Sequence, residues 1–362
     1  MRAPKQGAGR EGEIREMSVP DTSISTRPQS APVPSSAQPA TPPETSLRGP
    51  DFLTKGLAWH RDFDWRWNGL YVRKTGAWVP FDRHILDEVV SWFRYYFAVA
   101  GLKPLGPRFS YACEPERLRP WYLLWPALKA AGGVQIENAA EADLVVHFED
   151  STLSPNQAPQ RLKPGARTLN FACPDVSKTK VAEAFEAAFG YSLSVDPLAH
   201  QGPAVEKSEF NGVHDGRIVE CPTAPKPGCV YQRLVDAHWE EPDIVADLRT
   251  PTIGGEPILV FVKKRPVSRR FSNDNSGCDL LRVEDAFSAE ERAQLSDFTR
   301  RIGLDWGGLD VLRDKRDGRL YIVDANKTDM GPPIALPQSD KMRATRLLAQ
   351  AVRSFMTSDG AT

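Results

Sequence analysis

The 362-residue sequence has few of the residues that build metal clusters and disulfide frameworks. It contains 5 cysteines and 6 histidines, and no C-x-x-C or H-E-x-x-H pattern occurs among them. An odd number of widely spaced cysteines is typical of reduced thiols rather than of disulfide bonds or a zinc site. We therefore expect a cytoplasmic protein without structural zinc.

The sequence also lacks an excess of charge of one sign and a long apolar run. Lys and Arg number 46 against 47 Asp and Glu, a net charge of -1, so we expect no nucleic-acid partner. The most apolar stretch, residues 85–102, contains Asp87, Glu88 and Arg94, which makes it a poor membrane span. A hydrophobic share of 41% with 26% charged residues predicts a globular protein without an integral membrane segment.

Residues 1–50 lack the large apolar side chains that a packed core needs. Pro, Ser, Thr and Ala dominate this stretch, so we interpret it as a disordered tail. Residues 51–104 differ sharply, because they hold five of the 9 tryptophans and the amphipathic helix predicted over 85–102. We expect that helix to pack against the protein or to bind a protein partner, and an interfacial membrane helix is the alternative.

From residue 105 the apolar pattern alternates between short strands and a helix. The predicted elements are strands over 108–113, 134–137, 144–148 and 168–172, with a helix over 115–131. This order predicts a Rossmann-like half over residues 105–176. Its first turn, Glu114-Pro115-Glu116, lacks the glycines that let a pyrophosphate approach a helix, so we expect no dinucleotide there.

Two acidic strands are predicted towards the C-terminus, over residues 309–312 and 320–324, with an Asp-Gly loop between them. Alternation places Asp310 on one face of the first strand, and it places Asp324 and Asn326 together on one face of the second. If the strands pair antiparallel, these three side chains converge and offer the hard oxygen ligands that suit Mg²⁺. The alternative interpretation is an acidic hairpin that faces water.

Two basic features could face such a metal. Lys207 ends a predicted strand and precedes the glycine-bearing loop 208–216, which can set an ammonium and backbone N–H groups against phosphates. Another predicted strand, 257–265, leads into a basic run that comprises Lys263, Lys264, Arg265, Arg269 and Arg270. These cations either neutralise a triphosphate and an anionic intermediate or form a solvated rim.

The order of these parts over residues 107–333 resembles the ATP-grasp superfamily, in particular its carboxylate-amine ligases of the glutamate-ligase type. The features that carry the resemblance are the α/β half, Lys207 with Asn211-Gly212, the strand 231–236, Asp247-Leu248-Arg249, the basic strand end and the acidic strands. The fold class that we expect is therefore α/β and α+β. A Rossmann-like pre-grasp half would precede a two-lobed ATP-grasp domain over residues 177–362.

The resemblance implies a role for each of the singled-out residues. Lys207, Asn211 and Gly212 would contact phosphate, Gln232 and Leu234 would flank adenine, Asp236 would reach the ribose, Arg249 and Lys264 would face phosphate or acceptor, and Asp310, Asp324 and Asn326 would hold metal. One departure is Asp324, because the family usually has Glu there. The shorter side chain could tighten one metal position or abolish a second.

These implications predict an ATP- and Mg²⁺-dependent ligase acting on small molecules. It would activate a carboxylate as an acyl phosphate for attack by an amine or another nucleophile, and it would release ADP and phosphate. Two alternatives stay open. One is a nucleotide-binding regulatory module without turnover, and the other is a structural protein whose Trp-rich segment binds a partner.

Overall fold

The computed structural model describes residues 63–72, 77–81, 83–154, 161–213, 215–272 and 275–358. The predicted disordered tail, residues 1–50, lies outside the described residues, as do the first residues of the Trp-rich segment. The extents of the predicted domains accordingly stay predictions.

The Trp-rich segment forms a small antiparallel sheet followed by a helix. The elements are β1 (Phe63–Arg66), β2 (Gly69–Val72), β3 (Ala77–Pro80) and α1 (Arg83–Ala100). Helix α1 packs on the last helix of the chain, where the Tyr95 hydroxyl lies 2.6 Å from Thr345 Oγ1. The prediction of a helix over 85–102 is confirmed. No helix in the described part of the chain is both long and apolar enough to cross a membrane.

A four-stranded parallel sheet comes next. It comprises β4 (Phe109–Pro115), β5 (Gly133–Gln135), β6 (Leu144–Phe148) and β7 (Arg167–Leu169), in the order β5-β4-β6-β7, with α2 (Leu124–Ala131) between β4 and β5. The strands lie close to where the sequence predicts them, and their Rossmann-like classification stays a prediction. Helix α2 begins nine residues later than predicted, because the preceding residues bond a distant loop. Leu123 N donates to Asp329 O at 2.9 Å, and Gly331 N donates to Trp121 O at 3.1 Å.

Helix α3 (Lys178–Phe189) and a three-stranded sheet follow. The Ser177 side chain caps α3 by accepting from Lys180 N at 3.3 Å, and the helix ends at Gly190 with φ 77°. The small sheet comprises β8 (Gly202–Ser208), β9 (Arg217–Cys221) and β10 (Cys229–Arg233), which pair antiparallel in the order β10-β8-β9.

The rest of the chain builds a large antiparallel sheet and three helices. The strands are β11 (Ile244–Ile253), β12 (Glu256–Pro257), β13 (Leu259–Pro266), β14 (Gly277–Arg282), β15 (Gly307–Arg313) and β16 (Leu320–Asn326), and the helices are α4 (Val283–Ala286), α5 (Ala289–Ile302) and α6 (Gln338–Thr357). The sheet order is β14-β13-β11-β15-β16, with β12 paired to β11. Ser288 and Glu291 form a capping box at the start of α5.

Each face of the large sheet packs against a different set of helices. On one face Leu248, Val260 and Leu309 belong to an apolar cluster that includes residues of α3 and α5. On the other face Leu259 and Phe261 belong to a cluster with residues of α2 and α6. Along β13 the second cluster ends at Phe261, and the next residue on that face, Lys263, faces residues of the small sheet.

Candidate functional site

A cavity of about 210 Å³ lies between the small sheet and the large sheet. Its described charged lining residues are the cations Lys178, Lys207, Arg233, Lys263, Arg265 and Arg270 and the carboxylates Asp215, Asp247, Asp310 and Asp324. Because six cations outnumber four carboxylates, the cavity is suited to an anionic ligand.

Strand alternation explains why charges collect at this place. Residues two apart in a strand share a face, so Phe261 and Lys263 on β13 point to the same side of the sheet. Phe261 meets the helices, whereas Lys263 lies beyond them and lines the cavity. Asp247 lies opposite Lys263 in the pairing register of β11 and β13, so it enters the same cavity.

The acidic hairpin forms as predicted, with Asp310 of β15 opposite Asp324 of β16. Both residues line the cavity, and each carboxylate has a cationic partner. Arg249 Nη1 lies 2.8 Å from Asp310 Oδ1, and Lys178 Nζ lies 2.8 Å from Asp324 Oδ1. Burial by itself would raise the pKa of Asp310, but Arg249 and Lys263 lower that pKa well below its usual range. Asp310 is therefore an ionised carboxylate at the cavity wall.

Arg249 is buried behind this wall and does not line the cavity. Besides Asp310 it binds Asp329, whose Oδ1 accepts from Nη2 at 2.7 Å and from Nε at 3.1 Å. Gly308 makes room for this pair, since a Cβ at that position would lie 2.3 Å from Asp329 Oδ2. The sequence predicts that Arg249 faces phosphate or acceptor, whereas the structure holds it between two carboxylates, where it orients Asp310.

Lys178 is a cavity residue that the sequence prediction missed. It is the first residue of α3 and is only 5% exposed. Its Nζ donates to Asp324 Oδ1 and also to Asn211 Oδ1, so it links Asp324, a predicted metal ligand, to the loop after β8. One sequence feature could have indicated its role. A lysine directly after the Ser177 cap is unfavourable for the helix dipole, which suggests that the position is kept for a function.

Lys207 lies at the end of β8 and faces β16, where its Nζ donates to Val323 O at 2.8 Å. Burial lowers the pKa of Lys207 to about 8, although Asp324 opposes this shift. The loop that follows is anchored by Asn211, whose Nδ2 donates to Ala325 O at 3.0 Å. Gly212, with φ 80°, lines the cavity. The predicted lysine and glycine loop thus lie together at the cavity, beside the acidic hairpin.

Another part of the cavity wall is formed by the last residues of β10 and by the residues that follow it. Gln232 is 2% exposed and lines the cavity, and its Nε2 has no hydrogen-bond partner in the described structure. Leu234 lines the cavity too, and its carbonyl accepts from Arg316 Nη2 at 2.9 Å. Asp236 does not line it, because its carboxylate is bonded to His238 Nδ1, and this hydrogen bond lowers the pKa of Asp236.

Two further predicted residues lie away from the cavity wall. Lys264 points to the opposite side of β13 from Lys263 and pairs with Asp279 at 2.6 Å. Asn326 Oδ1 accepts from Thr328 N at 2.8 Å. The structure therefore brings Lys207, Gly212, Gln232, Leu234, Asp310 and Asp324 to one cavity and leaves Asn211, Arg249, Asp236, Lys264 and Asn326 outside its lining.

The donor set at the cavity fits Mg²⁺ better than a transition metal. The described residues include no group of three or more His, Cys, Asp and Glu side chains that could hold a metal by themselves. Mg²⁺ needs less, since it usually takes one or two carboxylates and completes its shell with water and substrate phosphates. Asp310 and Asp324 supply two such carboxylates beside cations that suit phosphate.

Fold and site together define a mixed α/β protein with a charged cavity between two antiparallel sheets. No protein-family profile matches the chain, and no curated protein matches it. Solved ATP-grasp ligases do match it, at low identity. They include PsnB complexed with a phosphomimetic variant of its minimal precursor, Mg and ADP, at 17% identity and a TM-score of 0.34, covering 52% of this chain and 62% of that one.

Two other solved structures align with nearly their whole length. A RimK-domain ATP-grasp protein from Sphaerobacter thermophilus DSM 20745 is 15% identical, with a TM-score of 0.40, covering 68% of this chain and 99% of that one. The macrocyclase MdnC from Microcystis aeruginosa MRC, bound with its precursor peptide MdnA, is 11% identical, with a TM-score of 0.38 and coverage of 69% and 99%. This chain spans less than two thirds of the PsnB chain, 62% of its length. These structures of ATP-grasp proteins are 11–17% identical to the chain, and the functional argument rests on the cavity itself.

Proposed function

We propose that the chain is an ATP- and Mg²⁺-dependent ligase of the ATP-grasp type that activates a carboxylate as an acyl phosphate. The observation that carries the proposal is the cavity between two sheets, in which Lys178 and Lys207 face Asp310 and Asp324. Ammonium groups beside paired carboxylates suit the charge pattern of a polyphosphate bound together with a divalent cation.

The two ends of the cavity suit the two ends of ATP. Near β10 the lining includes Val205, Val235, Val245 and Leu312, which form an apolar environment for a base. The free Nε2 of Gln232 offers a donor to a ring nitrogen of adenine. The lysines and the acidic pair lie at the other end and would receive the phosphates.

Asp310 and Asp324 would hold Mg²⁺ at the phosphate end, and Asn326 would join them only after its bond to Thr328 is released. When bound, Mg²⁺ neutralises phosphate charge and polarises the phosphoryl group for transfer. Lys178 would exchange Asp324 for a phosphate oxygen, and Lys207 would bind phosphate as an ammonium. Arg249 would keep Asp310 oriented through their ion pair of 2.8 Å.

The position of the charges supports transfer of the γ-phosphoryl group. A substrate carboxylate oxygen would attack the γ-phosphorus, the bond to the β-γ bridging oxygen would break, and ADP would leave with that electron pair. An amine would then attack the acyl carbon, lose a proton and expel phosphate. Cations also lie near the hinge, since Arg270 lines the cavity and its Nη2 donates to Val235 O at 3.4 Å, so the identity of the released nucleotide, ADP or AMP, decides which phosphorus is attacked.

The test is a stoichiometry measured by mass spectrometry on the full chain with ATP, Mg²⁺ and pools of amino acids, sugar acids and peptides. ADP, phosphate and a new amide should appear in equal amounts, and hydroxylamine in place of the nucleophile should give a hydroxamate. Release of AMP and pyrophosphate would overturn the proposed mechanism.

A nucleotide-binding regulatory role is the second candidate. It is favoured by the ion pairs that already hold the two proposed metal ligands, Asp310 with Arg249 and Asp324 with Lys178. ATP binding without ADP release across the same pools would support this alternative over the ligase.

A further inference from the structure

Helix α1 has a second apolar face that the described structure does not cover. The buried side of the helix faces α6 through Tyr95 and Val99. Large apolar side chains stand on the opposite side. They are Leu86, Val90, Phe93 and Phe97, which are 52%, 57%, 37% and 65% exposed. A contiguous exposed stripe of this kind marks an interaction surface more often than scattered apolar residues do.

The spacing of the stripe identifies the kind of partner. Successive members are four, three and four residues apart, which is the a and d pattern of a coiled-coil heptad. Val90 and Phe97 take a positions, and Leu86 and Phe93 take d positions. A globular surface helix shows one such stripe towards its own core, whereas α1 shows another towards solvent. The exposed seam therefore fits a partner helix.

The charges beside the seam select a partner and an orientation. In an antiparallel pair of identical α1 helices, Val90 packs on Phe93 of the other copy and Leu86 packs on Phe97. This register sets the e position Asp87 near the e position Arg94 of the second copy, twice across the two-fold axis. Both side chains are exposed and available for these pairs.

The g positions agree with the same arrangement. Val89 would meet Tyr96 of the second copy, so the other flank of the seam is apolar and aromatic on both sides. A parallel pair would instead set Val89 against Arg94 and would bring no opposite charges together. The antiparallel pair alone matches both apolar and charged neighbours.

We propose that α1 is a homodimerisation helix, which pairs antiparallel with α1 of a second copy of this chain through Leu86, Val90, Phe93 and Phe97. The seam is about two heptads long and smaller than the roughly 800 Å² per partner of a standard interface. Dimerisation is therefore concentration-dependent. The proposal is independent of the ligase activity.

The test uses sedimentation velocity on the full chain over a range of micromolar concentrations. The wild type should shift from the 40.2 kDa protomer towards twice that mass as its concentration rises. Val90→Glu should remain monomeric, because it buries a charge in the seam. Leu198→Glu is the matched control, since Leu198 is 62% exposed and lies outside α1, and this variant should dimerise like the wild type.

A charge exchange tests the orientation and guards against variants that merely disturb folding. Asp87→Arg should weaken dimerisation by roughly tenfold, because like charges then meet at two symmetric places. Adding Arg94→Asp to that variant should restore dimerisation by recreating the opposite pairs. Circular dichroism and thermal melts should be alike for all variants.

Three outcomes would overturn the proposal. The first is a wild type that stays monomeric at every concentration, including one that binds lipid vesicles through α1 instead. The second is a dimer that Val90→Glu leaves intact. The third is a double charge variant that dimerises no better than Asp87→Arg alone.

Discussion

Two stretches of β13 show how one face of the large sheet serves packing at one end and charge at the other. Leu259 and Phe261 are buried among the apolar residues of α2 and α6. Lys263 and Arg265 continue the same face and line the cavity with Asp247. The strand keeps its direction and its alternation throughout, so local backbone structure does not distinguish the two ends.

The difference lies in what covers each end of that face. Helices α2 and α6 cover the first end with apolar side chains, and the small sheet covers the second end incompletely, which leaves the cavity. At the second end Arg265 and Asp247 form an ion pair, which offsets part of the cost of removing their charges from water. Burial raises the pKa of Asp247 even though the ion pair with Arg265 opposes the shift. A partly buried charged face of this kind is costly for folding and is typical of a binding site.

The largest expected effect comes from removing a carboxylate at the charged end. Asp310→Asn or Asp324→Asn should remove several kcal/mol of transition-state stabilisation. The expected result is a decrease of about 100-fold or more in kcat. The full charge opposite the phosphates is lost, while the side-chain volume is kept. Steady-state ADP release with saturating Mg²⁺ measures the effect.

The matched control for these variants is Asp279→Asn. Asp279 pairs with Lys264 away from the cavity, so its loss should leave turnover unchanged. Removal of divalent metal by chelation should reproduce the effect of the two carboxylate variants in the wild type. Turnover within a few-fold of wild type for both Asp310→Asn and Asp324→Asn would refute the metal assignment.

The next effect concerns the packed end. Phe261→Ala should destabilise the protein by about 3–5 kcal/mol, because it removes a fully buried ring and leaves a cavity between the sheet and the helices. Denaturant unfolding measures this loss. Lys263→Ala, two residues further along the same face, should change the free energy of unfolding far less. Equal destabilisation by the two substitutions would contradict the division of the face.

Local patterns predicted the elements better than they predicted the site. The helix predicted over 85–102 and the acidic hairpin follow from apolar periodicity and turn chemistry within a few residues, and both were confirmed. The two strands predicted to carry Asp310 and Asp324 do pair, and these two residues lie opposite each other. Sequence alone could not show that Lys263, and not the predicted Lys264, lines the cavity. The answer depends on which side of β13 the small sheet covers.

The partners of buried charges were also beyond local reasoning. Arg249 meets Asp329, which is 80 residues away in the chain, and Lys178 meets Asp324 across 146 residues. No spacing rule connects such residues, since the contact exists only after α3 and the C-terminal strands have packed together. The roles of all the predicted site residues towards ATP or metal stay predictions, including those of Arg249, Asp236, Lys264 and Asn326.

A smaller effect should separate the two neighbouring lysines of β13. Lys263→Ala should weaken ATP binding by roughly tenfold, as expected when one cation is removed from a partly buried phosphate site. Lys264→Ala should leave ATP affinity unchanged, because Lys264 is paired with Asp279 on the other side of the strand. Isothermal titration calorimetry measures both affinities. Greater loss of affinity in Lys264→Ala would reverse the orientation that we assign to the strand.

The smallest effect is a pH dependence that Lys207 should impose on ATP affinity. Burial lowers the pKa of Lys207 to about 8, so its ammonium is mostly charged at pH 7 and is lost as the pH rises through that value. The neutral amine attracts phosphate less strongly, so affinity should be highest below pH 8 and should fall by a few-fold above it. Asp324, Asp310 and Asp247 face Lys207 and oppose its loss of charge, while Lys178 promotes it.

Lys207→Arg tests the assignment, because a guanidinium stays charged throughout this range. ATP affinity of the variant, measured from pH 7 to about pH 9.5, should be independent of pH. The buried thiols do not obscure the result, since burial raises the pKa of Cys173 and of Cys278 to about 12. If the wild type and Lys207→Arg lose affinity in parallel as the pH rises, another group titrates at the cavity and Lys207 does not bind phosphate as an ammonium.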